Sequence, residues 1–182
     1  MKSTVMENPD ISVKRDLISK YKHQLKSSSD QSLNIPSEYE DDFWKWFEGK
    51  SRIYYGKQIR KTLRGTTIPI KPENFCFKNC FRIAKGFVKR LFYFEGFSYR
   101  KNDSTCLRHA FNVCKNDRVS DYSLSDKPES KQDFYVGVKI PLTFARKIYA
   151  LIGDAKFTQY SLLVPYYLYN KGIEYFNEYA EL

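Results

Sequence analysis

The chain has 182 residues, 42% of them hydrophobic and 29% charged, which is enough for one domain with a proper core in a soluble, globular composition. No apolar run approaches the length that spans a bilayer, and the start, MKSTVMENPDISVKRD, lacks the apolar stretch of a secretory signal, so a cytoplasmic protein without membrane partners is expected. The net charge of +10 is unevenly placed: residues 1–44 hold six basic and eight acidic side chains, 45–101 hold fifteen and three, and 102–182 hold ten and ten. An excess confined to the middle third points to an anionic substrate or partner (nucleic acid first, then an acidic protein or a nucleotide-bearing molecule), or else to a solvated face that keeps the chain soluble.

Residues 1–35 read as an appendage. Ile11, Leu17, Ile18, Tyr21 and Leu25 recur at roughly helical spacing, and a Ser-rich stretch follows, so an amphipathic helix and a flexible linker are expected ahead of a single α+β domain over 36–182. His23 lies there among charges and reads as exposed. In PSEYEDDFWKWFEGK, Ser37 suits an N-cap, an acidic first turn follows, and Phe43, Trp44 and Phe47 face inward. SRIYYGKQIRKTLRG reads as another helix, broken near Gly56. Its Lys57, Arg60, Lys61 and Arg64 stand at i, i+3, i+4 and i+7, a cationic stripe near Tyr54 and Tyr55. Such a stripe suits either a nucleic-acid backbone with stacked bases or plain solvation.

Pro69 and Pro72 make TTIPIKPENF extended. A helix is then expected from about 75 to 91, with Asn74 as cap and Phe77, Cys80, Phe81, Ala84, Val88 and Leu91 on its buried face. Its opposite face carries Lys78, Arg82, Lys85 and Lys89, a second anion-binding candidate. Beyond it the period changes to two. LFYFEGFSYR, LRHAFNVC, VSDYSL and DFYVGVKI read as four strands, the middle two joined as a hairpin by a tight NDR turn. PLTFARKIYALIG turns helical again between Pro141 and Gly153, and the remainder holds one or two short helices interrupted at Pro165. The fold class is therefore α+β: an antiparallel sheet of about four strands on a cysteine-bearing helix, with further N- and C-terminal helices.

Four cysteines occur, Cys76, Cys80, Cys106 and Cys114, and a reducing compartment makes disulfides a poor default. Their C-x3-C and C-x7-C spacings, with His109 pointing away from Cys106 and Cys114 on a strand, make a closed zinc site awkward, and no cofactor is expected. Thiols attack as thiolates, which a helix N-terminus and a nearby imidazolium stabilise. Cys76 falls in the first turn of its helix, whereas Cys80 lies on the apolar stripe, so Cys76 is the better nucleophile and Cys80 the better core residue. His109 is the one histidine of the domain. The hairpin pairing sets residue 109 opposite 122 or 123 and brings Asp121 within diagonal reach, ahead of Asp117 in the turn and Asp126 beyond the strand. An acid there fixes the imidazole tautomer and steadies its charged form. Each residue also has an ordinary reading, as a packing cysteine, a hydrogen-bonded core histidine and a loop-closing aspartate.

A cysteine at a helix start, then a strand with histidine, then a strand with aspartate resembles the transglutaminase-like branch of the papain-like cysteine fold. CFKN (76–79), YFEGF (93–97), RHAFNV (108–113), RVSDYSL (118–124) and FYVGV (134–138) are also similar to small bacterial and phage proteins with a Cys…His-Ala-aromatic…Asp layout. The resemblance covers residues 73 to about 140. It implies Cys76 as nucleophile, His109 as base and Asp121 as orienter, with Asn79 shaping the pocket. It departs from the family at Phe111, where tryptophan is usual, and at Tyr122–Ser123, where Thr-Trp is common. The expected chemistry is acyl transfer from an amide, ester or thioester. The rival class is a non-enzymatic binding module with a decayed triad, holding nucleic acid or an acidic protein on its basic faces.

Overall fold

The computed structural model describes residues 9–27, 33, 35–56, 76–87, 90–121, 132–156 and 161–173. Helix α1 (Pro9–Ser27) is followed by a 3-10 turn at Ser37–Tyr39 and helix α2 (Glu40–Lys50), then strand β1 (Arg52–Tyr55). Helix α3 (Cys76–Gly86) leads into strands β2 (Leu91–Arg100), β3 (Thr105–Cys114), β4 (Val119–Ser120) and β5 (Phe134–Lys139), and helices α4 (Leu142–Lys156) and α5 (Leu163–Asn170) close the described chain. The strands form one antiparallel sheet in the order β1-β5-β2-β3-β4, curled into a half-barrel, so the fold is α+β as the pattern of periods requires.

Alternation along the strands separates two cores. Tyr93, Phe97, Ala110, Val136 and Val138 meet the helices on the outer face, with Phe43 and Phe47 of α2, Phe77, Cys80 and Phe81 of α3, and Leu163 and Leu168 of α5. On the inner face of the curl, Tyr54, Phe94, Phe111, Val113, Val119 and Tyr135 pack on one another. Phe94 stacks on Phe111 at 5.6 Å between centroids, and Tyr54 meets both rings edge-on.

Several expectations are corrected. The sheet has five strands: Arg52–Tyr55, read as the start of a helix, pairs with β5 from Arg52↔Gly137 to Tyr55↔Phe134. A run of Ile and two Tyr has the strand preference that the helical reading overlooked. The helix carrying Cys76 ends at Gly86, and Leu91 opens β2. Ser37 makes no capping bond; it opens the 3-10 turn after Pro36, and Glu40, Asp41 and Asp42 complement the α2 dipole. Pro165 sits in the first turn of α5, where it costs no hydrogen bond, and does not interrupt it. The expected appendage is part of the outer core: Leu17, Ile18 and Tyr21 of α1 are buried there, and Tyr21 stacks on Phe97 at 4.4 Å. Gln24 ties α1 to β3 by accepting from the Cys106 N–H (2.9 Å) and donating to its carbonyl (2.6 Å). Residues 28–32 and 34, expected as linker, lie outside the described residues.

Candidate active site

Helix α3 is fastened to the sheet by polar bonds inside the outer core. The Cys80 thiol donates to the Ala110 carbonyl at 3.1 Å, and the Asn112 side-chain amide donates to the Cys80 carbonyl at 3.0 Å. Both partners belong to β3, so the helix cannot slide along that strand without leaving buried groups unpaired. This fixes Cys76, one turn before Cys80, beside the stretch of β3 that carries His109. Cys80 is fully buried, whereas Cys76 is half-buried and open to solvent.

His109 lies on the inner face of β3, opposite Gly96. The β3–β4 ladder pairs Asn112 with Ser120 and Val113 with Val119. Carried past its end, that register sets position 109 opposite 123, so Asp121 is diagonal to His109, as the hairpin reading expects. The Asp121 carboxylate meets His109 Nε2 at 2.5 Å, with the two side chains 0% and 6% exposed. The Tyr135 hydroxyl of β5 donates to the same Asp121 oxygen at 3.1 Å. Burial opposes a charged imidazole, but the charge and hydrogen bond of Asp121, joined by the adjacent Cys76 side chain, prevail and raise the His109 pKa from 6.5 to about 10. Asp121 occupies Nε2, which leaves Nδ1 as the nitrogen for the sulfur.

The other thiols are unsuited to attack. Cys106 is buried, and that burial pushes its pKa up to about 11. Cys114 bonds within its own turn, to the Asn116 side chain and the Arg118 carbonyl. Among the described residues no group of three side chains of metal-ligand type comes together.

Sequence reasoning missed two members of the neighbourhood. Tyr135 is one; strand alternation puts it on the inner face, but nothing in the sequence aims its hydroxyl at Asp121. The other is Glu95 on β2, fully buried on the outer face beside Ala110. It accepts from the Tyr93 hydroxyl (2.5 Å), the Ser161 hydroxyl (2.7 Å) and the Leu162 N–H (2.6 Å). Burial raises its pKa to about 7 against the pull of those bonds. A lone acid in the apolar run LFYFEGF was the available clue, because a carboxylate in a central strand must find partners.

Of the two basic faces, the structure describes only three residues of the second. Lys78 is only 4% exposed and is not part of a solvated stripe, because α3 packs on the sheet around it. Arg82 and Lys85 are on the described helix, whereas Lys57, Arg60, Lys61, Arg64 and Lys89 lie outside the described residues. Asn79, in the first turn of α3, is buried. Among the described residues no helix is long and apolar enough to cross a membrane. No family model, curated protein or solved structure matches the chain.

Proposed function

We propose that this chain is a cysteine hydrolase or acyltransferase of papain-like type, acting through Cys76, His109 and Asp121 on an amide, ester or thioester. One observation carries the reading: a buried imidazole meets a carboxylate at 2.5 Å and has the partly exposed Cys76 close enough to act on its charge. The proton of the Cys76 thiol passes to His109, and the sulfur attacks the carbonyl carbon of the substrate. Backbone N–H groups at the start of α3 would stabilise the oxygen that becomes negative. When the tetrahedral adduct collapses, the bond to the leaving group breaks and the imidazolium gives that group its proton. Water or an amine then adds to the thioester, His109 takes a proton from it, and Cys76 is released. An imidazole with a raised pKa keeps its proton until the leaving group needs it. Asp121 orients the ring and balances its charge throughout.

Alkylation by iodoacetamide near pH 6.5, read by peptide mass spectrometry, tests the site. Cys76 should label at least ten times faster than Cys80, Cys106 or Cys114, and His109→Ala should slow it about tenfold or more. Equal, slow labelling of Cys76 and Cys114 would overturn the reading.

A further inference from the structure

The half-barrel leaves β1 at its edge, and the backbone there has a definite polarity. The Gly56 N–H donates to the Asp133 carbonyl at 2.7 Å, and across β5 the Ile140 N–H donates to the Tyr93 carbonyl at 3.0 Å, so Phe134, Val136 and Val138 bond toward β2 and Tyr135 and Gly137, the partners of Tyr54 and Arg52, bond toward β1. Such pairs recur at every second residue, so Tyr54 and Arg52 turn their backbone groups toward β5. Ile53 and Tyr55 therefore turn theirs away from the sheet. Among the described residues no strand pairs with Ile53 or Tyr55 on that outer edge, and the Lys14 ammonium caps the Ser51 carbonyl at its start (3.1 Å).

A cavity of about 830 Å³ lies along this edge. All four residues of β1 line it, with Ile11 and Lys14 of α1 on one side and Asp117 and Arg118 of the β3–β4 turn on the other. Its two sides differ in chemistry. Ile53 and Tyr55 face α1, and the Tyr55 hydroxyl bonds Asp10 there. Ile11 and Tyr55, 39% and 54% exposed, are two of only five large apolar side chains left exposed among the described residues. Arg52 faces the turn, where it meets Asp117 loosely at 3.8 Å with both side chains mostly in solvent. The Arg118 guanidinium has no partner among the described residues. Proteins commonly guard an open edge with Lys or Pro, but the two residues whose backbone faces outward here are Ile and Tyr.

We propose that β1 receives an extended, acidic segment of a partner protein as a sixth strand that fills the gap in the half-barrel. Donors and acceptors repeated at strand spacing match a peptide backbone. Alternate side chains of the guest fall on the two walls: apolar ones beside Ile11 and Tyr55, acidic ones beside Arg52 and Arg118. The site is separate from Cys76. Cys76, His109 and Asp121 are not among the residues that line the cavity, although the curl brings Tyr54 of β1 within 6.0 Å of Phe111 of β3. Binding at β1 therefore does not depend on the cysteine chemistry.

The test uses the full chain and the capped hexapeptide acetyl-Val-Glu-Val-Glu-Val-Glu-amide, followed by amide hydrogen exchange and a fluorescence titration. At millimolar peptide the Ile53 and Tyr55 amides should gain at least tenfold protection, and added salt should weaken binding. Ile53→Pro removes one outward N–H and leaves the ladder to β5 intact, so it should abolish the effect. Arg118→Glu should weaken binding at least tenfold and serves as the second variant should Ile53→Pro fail to fold. Unchanged exchange at both amides, or equal binding of the same peptide with alternate amides N-methylated, would show that the edge is not a strand acceptor.

Discussion

Asp121 and His109 are twelve residues apart in the chain and 2.5 Å apart in space, joined through Nε2 by a hairpin whose paired rows stop just short of either of them. The carboxylate is fully buried and shares its oxygen with Tyr135. A buried carboxylate with two donors is a fixed negative point, and the imidazole answers it by holding its proton well above its ordinary range. Asp121→Asn keeps the shape and removes the charge. Alkylation of Cys76 at neutral pH should then slow by about 100-fold, the lower end of what a positioned acid–base partner typically contributes. Labelling of Cys114 should stay unchanged, which separates a local effect from unfolding.

The same pair sets an alkaline limit on stability. The folded pKa of His109, about 10, lies above its ordinary 6.5. The pairing therefore contributes fully below about pH 6.5, and that contribution is lost as pH rises through about 10. Unfolding midpoints in urea, measured from pH 7 to 10.5, should fall more steeply for the native chain than for Asp121→Asn.

Tyr135→Phe removes the hydroxyl that steadies Asp121 and leaves the ring among Phe111, Val119 and Tyr54. One lost bond to a charged group costs about 2 kcal/mol. Labelling of Cys76 should slow by less than the Asp121 variant, with its pH profile displaced. A rate and profile identical to the native chain would show that Tyr135 only packs.

Glu95 predicts a second titration of the same sign, on the acid side of neutrality. Its pKa is raised from 4.5 to about 7 by burial, so its folded form prefers the proton. The stability it lends is fully present below about pH 4.5 and is lost as pH rises through about 7. A shift of that size corresponds to roughly 3 kcal/mol at most. Glu95→Gln keeps the contacts to Ser161 and Leu162 through its amide oxygen and cannot ionise. The difference in unfolding free energy between native chain and variant should therefore change between pH 5 and 8 and level off above it.

What could be read in the sequence follows the range of the interactions involved. The period change after α3 was legible because each apolar stripe is local, and the hairpin register followed from a short turn. That register, with one histidine in the domain, was enough to bring Asp121 to His109. Three things were not legible. The strand at Arg52–Tyr55 is defined by its partner β5, some eighty residues on. The place of α1 in the core depends on Tyr21 meeting Phe97, a contact no local pattern announces. Lys78 looked solvated because helical spacing ranks it with Arg82 and Lys85, yet α3 is covered on more than one side.

Two glycines beside the site report how tightly the curl is built. Gly96 and Gly137 are cross-strand partners, and Gly96 is also the partner of His109. A methyl group on Gly96 would stand 2.0 Å from the Val136 carbonyl oxygen and 2.6 Å from the Gly137 Cα, both backbone atoms that cannot step aside. One on Gly137 would meet the Glu95 carbonyl oxygen at 2.8 Å and the tip of the Phe111 ring at 2.9 Å, a milder overlap than that at Gly96. Overpacking of this kind costs about 1–3 kcal/mol where neighbours give way and more where they do not. Gly137→Ala should therefore lose about 1–3 kcal/mol in denaturant titrations and keep its thiol reactivity. Gly96→Ala should lose more and slow Cys76 alkylation in whatever fraction still folds, because the strand that carries it is the one against which His109 is set.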